Sequence, residues 1–358
     1  MKYNDFRRIS NSVRVGDIII GGNAPVSIQS MTNTDTHDID ATYRQVFALE
    51  EAGCDIARIT APDLESVATF SELKARGIKI PLVADIHFNY KIAVAAAKAG
   101  VDKIRINPGN IGSKDKVREV VSACRERNIP IRIGVNSGSL EKNILEKYGS
   151  PTAEALAESA LYHASLLEEL DYNNIVLSVK SSDVKNMIEA NRILSQRTSY
   201  PLHLGVTEAG ARTRAIVKSS IGVGALLADG IGDTVRVSLT DDPVEEIAAA
   251  KAILDSIGVS EKRGMDIVSC PTCGRTQIDL ISLVKQFEDR AHLEGLLGKS
   301  IKVALMGCVV NGPGEATEAD IGIAGGKGEA LLFKKGEIIR KIKEENIIDE
   351  LISEIKEM

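Results

Sequence analysis

The chain has no tryptophan, and only 4% of its 358 residues are aromatic. Few platforms remain for stacking nucleobases, and a net charge of −6 without long single-sign runs leaves no cationic groove for a phosphate backbone. Nucleic acid is excluded as a partner. The N-terminal segment offers only the short apolar run Ile18-Ile19-Ile20, too brief for a signal segment or a membrane span. The expectation is a cytoplasmic protein that makes no use of a membrane. Cysteine is scarce too: five residues, an odd number with no paired framework, fit a reducing compartment rather than a disulfide scaffold. What is present is ordinary for a soluble globular protein, 44% hydrophobic and 26% charged, at a length that allows two domains.

Between Ala24 and Gly258, eight β-rich runs alternate with helical stretches, at 26–31, 55–60, 82–86, 103–107, 131–136, 174–180, 202–208 and 234–239. Eight β/α units in about 235 residues match a TIM (β/α)8 barrel, usually ~250 residues long, over the competing doubly wound sheet. Internal repetition favours the barrel. Ala-Gly-Cys-Asp-Ile-Ala-Arg-Ile (52–59) returns as Ala-Gly-Val-Asp-Lys-Ile-Arg-Ile (99–106) and, with one insertion, as Asp-Gly-Ile-Gly-Asp-Thr-Val-Arg-Val (229–237). Each unit is a helix-ending glycine, an aspartate and a strand carrying arginine, so a ring of such units sets its arginines at similar heights. The stretch 13–22 reads as a hairpin over the barrel floor. Asp242 as N-cap, Pro243 at N1, Glu245 at N3 and Gly258 beyond the end delimit the last barrel helix. The predicted division is a substrate-binding barrel with its hairpin over 1–258, a linker at 259–264 and a smaller α+β domain over 265–358. In that second domain a helix is expected near 280–297, a strand at 302–305 and a hairpin at 330–340. The glycine-rich 324–328 lacks P-loop spacing and reads as a turn.

Residues two apart on a strand share a face, and the C-terminal strand ends of a barrel line its active site. That level carries Arg58 and Thr60, Asp85 and His87, Arg105 and Asn107, Arg132 and Asn136, Ser178 and Lys180, Thr207 and Glu208, Arg236 and Ser238. A purely structural interior would be Val, Ile and Leu. Four arginines and a lysine at one opening require anionic charge, and guanidinium forks suit phosphate oxygens, so the expected substrate is phosphorylated, of the diphosphate type. Any single arginine can equally serve an internal salt bridge with Asp85 or a neighbour, but that reading does not extend to all five cations. Glu208 is the candidate proton donor once substrate anions arrive; His87 is either a proton shuttle or a hydrogen-bonding scaffold. The connection 137–150 is either a lid or a decoration.

Three cysteines in the second domain point to a redox metal cluster: Cys270 and Cys273 in Ser-Cys-Pro-Thr-Cys-Gly-Arg, and Cys308 in Met-Gly-Cys-Val-Val-Asn-Gly-Pro-Gly-Glu. A C-x-x-C step suits iron–sulfur and zinc sites alike. No fourth cysteine exists in this half of the chain, so a cluster needs a non-sulfur ligand. The turn-forming Asn311-Gly312-Pro313-Gly314 returns the chain and makes Glu315 the candidate. A hard oxygen on a soft site is weakly held and exchangeable, as a catalytic cluster needs. The competing readings are structural zinc completed by His292, with the second domain as an interaction module on a non-redox barrel that binds a phosphorylated ligand, or unligated thiols. Cys54 and Cys124 fall at packing positions.

Val-Ala-Asp-Ile-His-Phe-Asn (83–89), Lys-Ile-Arg-Ile-Asn-Pro-Gly-Asn (103–110), Gly-Val-Asn-Ser-Gly-Ser-Leu (134–140) and Gly-Val-Thr-Glu-Ala-Gly (205–210) stand with Cys-Pro-Thr-Cys-Gly-Arg-Thr (270–276) and Gly-Cys-Val-Val-Asn-Gly-Pro-Gly-Glu (307–315). Across nearly the whole chain this set resembles the 4-hydroxy-3-methylbut-2-en-1-yl diphosphate synthases of the non-mevalonate isoprenoid pathway, in the bacterial two-domain form. The resemblance implies reductive opening of 2-C-methyl-D-erythritol 2,4-cyclodiphosphate with loss of water. It also implies a [4Fe-4S] cluster on Cys270, Cys273, Cys308 and Glu315, fed by flavodoxin or ferredoxin. A homodimer with the cluster domain of one chain over the barrel of the other completes the expectation.

Overall fold

Each of the three repeat glycines ends a helix in the left-handed region, Gly53 at φ 82°, Gly100 at 88° and Gly230 at 74°. The aspartate that follows accepts an N–H from the neighbouring strand: Asp55 from Ile28 (2.7 Å), Asp102 from Leu82 (2.8 Å) and Asp233 from Leu202 (2.8 Å). Helix stop, lateral tie and strand start are thus packed into a few residues and repeated around a ring. The structure, a computed structural model, describes residues 3–259, 264–309 and 318–358. The chain divides into two units, Met1–Ser260 and Glu261–Met358.

The first unit opens with an antiparallel hairpin, β1 (Val13–Val15) and β2 (Ile18–Ile20). Eight parallel strands follow: β3 (Ser27–Met31), β4 (Ile56–Thr60), β5 (Leu82–Asp85), β6 (Lys103–Ile106), β7 (Ile131–Asn136), β8 (Ile175–Lys180), β9 (His203–Leu204) and β10 (Thr234–Val235). Their order is β8-β7-β6-β5-β4-β3-β10-β9, and a parallel bridge between Leu177 and Leu202 joins the two ends into a barrel. Outside it lie α1 (Ile39–Glu51), α2 (Ala68–Ala75), α3 (Tyr90–Lys98), α4 (Pro108–Ile111), α5 (Lys114–Glu126), α6 (Lys142–Tyr148), α7 (Ala153–Glu168), α8 (Val184–Arg197), α9 (Arg212–Ala228) and α10 (Pro243–Ile257). The short α4 and α6 are insertions after β6 and β7. All eight expected strands are present, but β9 and β10 are shorter than 202–208 and 234–239. Beyond them the pairing thins to the Arg236 N–H donating to Leu204 O at 2.9 Å and the Thr207 N–H donating to Ser181 O at 3.4 Å, and a Cβ at Gly205 would stand 2.7 Å from the Arg236 carbonyl, so glycine is required for that approach.

The hairpin seals the floor as expected. Val13, Val15 and Ile20 pack on Ile56, Val83 and Val176, which sit near the starts of β4, β5 and β8. Cys54 and Cys124 are buried packing residues, and burial pushes both thiols up to about 12, far from reactivity.

The second unit contains β11 (Asp266–Ser269), α11 (Leu280–Leu293), β12 (Lys302–Met306), β13 (Ile321–Gly325), β14 (Glu329–Lys334), β15 (Glu337–Lys343) and α12 (Ile347–Lys356). The sheet runs β11-β12-β13-β14-β15, parallel for its first two pairings and antiparallel for the last two. Leu283 and Phe287 of α11 and Leu351 and Ile355 of α12 share a core with Val303, Leu305, Ile321 and Ile323. The expected helix, strand and hairpin are found as α11, β12 and β14–β15, whereas β11, β13 and α12 were not foreseen. The turn at 311–314 and linker residues 260–263 lie outside the described residues.

Candidate active site

Parallel register sets Asp85, Arg105 and Arg132 side by side across β5, β6 and β7, and Asn136 beside Lys180 across β7 and β8. Asp85 is shared: Arg58 donates to its Oδ2 at 2.5 Å and Arg105 to its Oδ1 at 3.2 Å. Arg105 also reaches the Gly134 carbonyl at 3.1 Å, and a Cβ at Gly134 would stand 2.5 Å from the Arg105 Nε, so only glycine lets the guanidinium lie there. Arg236 is gripped through two nitrogens by Glu246 of α10, at 3.2 Å each. Glu246 accepts as well from the Ser30 hydroxyl (2.7 Å) and the Leu239 N–H (3.2 Å), which fixes it in place. Three of the four arginines are therefore held by internal carboxylates. Arg132 and Lys180 have no carboxylate partner among the described residues, though both are buried.

Burial works against the Asp85 charge, but Arg58 and Arg105 outweigh it and hold the carboxyl well below its usual range. Arg58 is brought down to about 10 by burial, offset in part by Asp85. Burial, reinforced by neighbouring guanidiniums, drives Arg132 and Lys180 far below their ordinary values. These directions describe a low-dielectric pocket with more positive charge than its carboxylates neutralise. An anion entering it relieves repulsion among the cations as well as gaining hydrogen bonds.

The remaining mouth residues stand around this ring. Asn107 continues β6 and is buried, with its Nδ2 unpartnered among the described residues. Thr207 and Ser238 are half-buried just past β9 and β10. His87 is exposed beyond the end of β5; desolvation of its ring, with Arg105 and Arg58 nearby, depresses its basicity against the pull of Asp85. Glu208 is exposed, without a hydrogen-bonding partner among the described residues, and its φ of 51° is rare for a residue with a side chain. Sequence reasoning missed Glu246, and it missed Lys103 and His203, which lie fully buried with unpartnered nitrogens. Lys103 was legible: it stands two residues before Arg105 and so shares its face. Connection 137–150 is anchored rather than free, since Lys147 and Tyr148 of α6 both bond Glu158 of α7, at 2.6 Å each to Oε2.

In the second unit, parallel pairing of β11 with β12 places Cys270 and Cys308 just past two adjacent strand ends. The Gly307 N–H donates to the Cys270 Sγ at 3.3 Å and the Arg275 N–H to the Cys273 Sγ at 3.5 Å. Thr272, at φ 64°, bends the C-x-x-C step, and the Cys273 N–H is tied to the Thr276 hydroxyl at 3.1 Å. All three cysteines are free and none is fully buried. Thiol sulfurs that accept backbone N–H groups at exposed strand ends fit a soft-metal cluster as a donor set. Among the described residues no three His, Cys, Asp or Glu side chains close around a single ion, and Glu315 lies outside those residues. His292, the alternative zinc ligand, is exposed in the last turn of α11.

Both units have counterparts among known proteins. A family model described as the GcpE TIM-barrel domain matches residues 10–251, and one described as the GcpE protein C-terminal domain matches 266–357. A protein of Clostridium perfringens named 4-hydroxy-3-methylbut-2-en-1-yl diphosphate synthase (flavodoxin) is 60% identical, covering 98% of this chain and 99% of its own length. One of the same name from Fusobacterium nucleatum is 56% identical, with 98% of each chain covered. Among solved structures, type I 3-dehydroquinate dehydratase of Clostridium difficile superposes with a TM-score of 0.52 at 14% identity over 70% of this chain and 99% of its own, a likeness of fold alone. With both of its domains matched and relatives this similar over almost their entire length, the chain belongs to the GcpE family of 4-hydroxy-3-methylbut-2-en-1-yl diphosphate synthases.

Proposed function

We propose that this chain reductively opens 2-C-methyl-D-erythritol 2,4-cyclodiphosphate, with loss of water, to 4-hydroxy-3-methylbut-2-en-1-yl diphosphate. The observation that carries the substrate reading is the charge surplus at the mouth, where Arg58, Arg105, Arg132, Lys180 and Arg236 face, among the described residues, only the carboxylates Asp85 and Glu246. In this reading Arg132 and Lys180 make the primary contacts to the diphosphate. Arg58, Arg105 and Arg236, already oriented by their carboxylates, close around it without losing further side-chain freedom. Asn107, Asn136, Thr207 and Ser238 add neutral donors, Asp85 and His87 complete the rim, and Glu208 holds the proton for the departing oxygen.

Cys270, Cys273 and Cys308, with Glu315, are assigned to a [4Fe-4S] cluster, which when bound supplies the electrons for the reduction. Flavodoxin, carried in the relatives' names, is the proposed donor, with ferredoxin as the alternative. Free cysteines suit the reducing cytoplasm, where we place the enzyme. Anaerobically purified protein should carry roughly four iron and four sulfide per chain. Stoichiometric zinc without sulfide would overturn the assignment. Glu315→Ala should keep a labile cluster on three thiolates and lose most turnover; full activity with a stable cluster would remove Glu315 from the ligand set.

We further propose a homodimer working in trans, a reading that the course of α10 supports. The helix starts beside the mouth, where the Ser30 hydroxyl meets the Pro243 carbonyl at 3.4 Å, and descends to the floor, where Lys251 donates to Ala52 O at 2.7 Å. A six-residue linker spans at most about 20 Å, whereas strands and loops make a wall on the order of 30 Å. The cluster domain therefore serves the partner's barrel more readily than its own. Mixing a Cys270→Ser chain with a Glu208→Gln chain should restore activity once subunits exchange. Exchange without recovery would assign each cluster to its own chain.

A further inference from the structure

His163 is fully buried on α7, outside the ring of mouth residues, yet both of its nitrogens are engaged. Nε2 makes a short contact with the Glu141 carboxylate, which also accepts from the Ser159 hydroxyl at 2.8 Å. Nδ1 faces the Gly109 N–H at 3.3 Å. A backbone N–H can only donate, so Nδ1 accepts and the ring proton sits on Nε2, shared with Glu141. A Cβ at Gly109 would stand 2.5 Å from the His163 Cε1, so the ring lies against this backbone only because position 109 is glycine.

The Gly109 N–H is shared: the Asn107 Oδ1 also accepts it, at 3.2 Å, as the cap of the four-residue α4. With Oδ1 committed to the backbone, the amide is turned so that Nδ2 is the free end, a buried donor without a partner among the described residues. Asn107 keeps an extended backbone, φ −112° and ψ 111°, so it stays on the Arg105 face of β6 and Nδ2 belongs to the mouth. The other end of the dyad, Glu141, caps α6 in the connection that follows β7 and Asn136. His163 thus braces the loops after two adjacent strands against one helix.

We propose that His163 is a positioning residue for substrate: through its Nδ1 contact with Gly109 it fixes the Asn107–Gly109 turn so that the Asn107 amide presents Nδ2 to the diphosphate, while Glu141 serves the stability of the ring's site. This rests on the reading of Asn107 as a diphosphate ligand. A merely structural histidine would affect folding without discriminating between its two ends, so the ends are separated by substitution. Asparagine carries its amide at the place of Nδ1 and glutamine at that of Nε2. His163→Asn keeps the Gly109 contact, and His163→Gln keeps the Glu141 contact.

In holoenzyme, His163→Gln should raise the KM for the cyclodiphosphate roughly 3- to 10-fold, the worth of one neutral hydrogen bond, with kcat little changed. His163→Asn should keep KM near that of the parent even where urea unfolding shows comparable loss of stability. Gly109→Ala, which pushes the ring away from the other side, should match His163→Gln. Asn107→Ala should raise KM by itself and leave His163→Gln without further effect in the double variant. Equal KM values for the Asn and Gln variants, or additive effects with Asn107→Ala, overturn the positioning role while leaving Asn107 a ligand. An unchanged KM for Asn107→Ala overturns both.

Discussion

At the floor of the barrel each aspartate of the repeat is answered locally. Asp55 accepts the Ile28 N–H, and Asp102 accepts the Leu82 N–H and Lys74. Asp233 takes Arg7 at 2.9 Å, the Ser10 hydroxyl and the Leu202 N–H. At the mouth the same repeat supplies Arg58, Arg105 and Arg236, three positions after those aspartates, and there the matching is incomplete. Among the described residues two carboxylates face five cations, and Arg132 and Lys180 have none of their own. The difference separates two uses of charge: at the floor each aspartate is satisfied where it stands and joins strands, whereas in the proposed reading the surplus charge at the mouth is stabilised when a ligand arrives.

The sharpest way to break this contrast is to remove the carboxylate that two mouth arginines share. Asp85→Ala strands Arg58 and Arg105 as buried cations and should cost about 3–5 kcal/mol of stability, the range for breaking a buried pair. Urea unfolding of the cluster-free protein checks it, and a loss below about 1 kcal/mol would mean that the pair is not a structural element. Arg132→Met should do the reverse. Substrate affinity, read by calorimetry, should fall by about 1.5–3 kcal/mol with the lost charge-assisted bond, while the melting temperature holds or rises because a desolvated, unpaired cation is gone. A fall in both would place Arg132 with the matched charges.

The smallest effect concerns His203, whose ring nitrogens are both buried and unpartnered among the described residues. Burial first, then Arg132, Lys180 and Lys103, hold its basicity well below the ordinary 6.5. The unfolded chain therefore binds this proton more readily than the folded one. Stability should decline as pH drops below 6.5, by up to about 1.4 kcal/mol per pH unit from this group, until the folded-state value is passed. His203→Gln should flatten that part of the profile. An unchanged slope between parent and variant would show that His203 finds a partner or protonates in the fold.

Which features were legible follows from how local their causes are. The Gly53, Gly100 and Gly230 helix stops, the aspartates after them and the alternating strands are written in a few consecutive residues, and the barrel emerged from them. The Ser30–Glu246–Arg236 cluster was not legible, because Glu246 lies in the acidic first turn of α10 and looks like a charge placed for the helix N-terminus. Its actual partner is ten residues upstream and visible only when the ring closes. In the second unit β11 is short and largely unburied, and β13, Ile-Gly-Ile-Ala-Gly, ends in glycines that suggest a turn. The α12 pattern of Ile347, Leu351, Ile352 and Ile355 did carry the helical period and was available to be read. Glu315 came from turn chemistry and family resemblance.

The hairpin that fills the floor with Val13, Val15 and Ile20 also decides how molecules travel through the enzyme. A barrel stoppered at its floor by apolar side chains leaves the mouth as the way in and out among the described residues, so in the proposed reading reactant and product pass through the same opening in opposite directions. In the proposed reading, the diphosphate retained by the product meets the same cations that captured it on the way in. Departure is then tied to the strength of capture, which sets an upper limit on how tightly the mouth can bind before its own product blocks the next arrival.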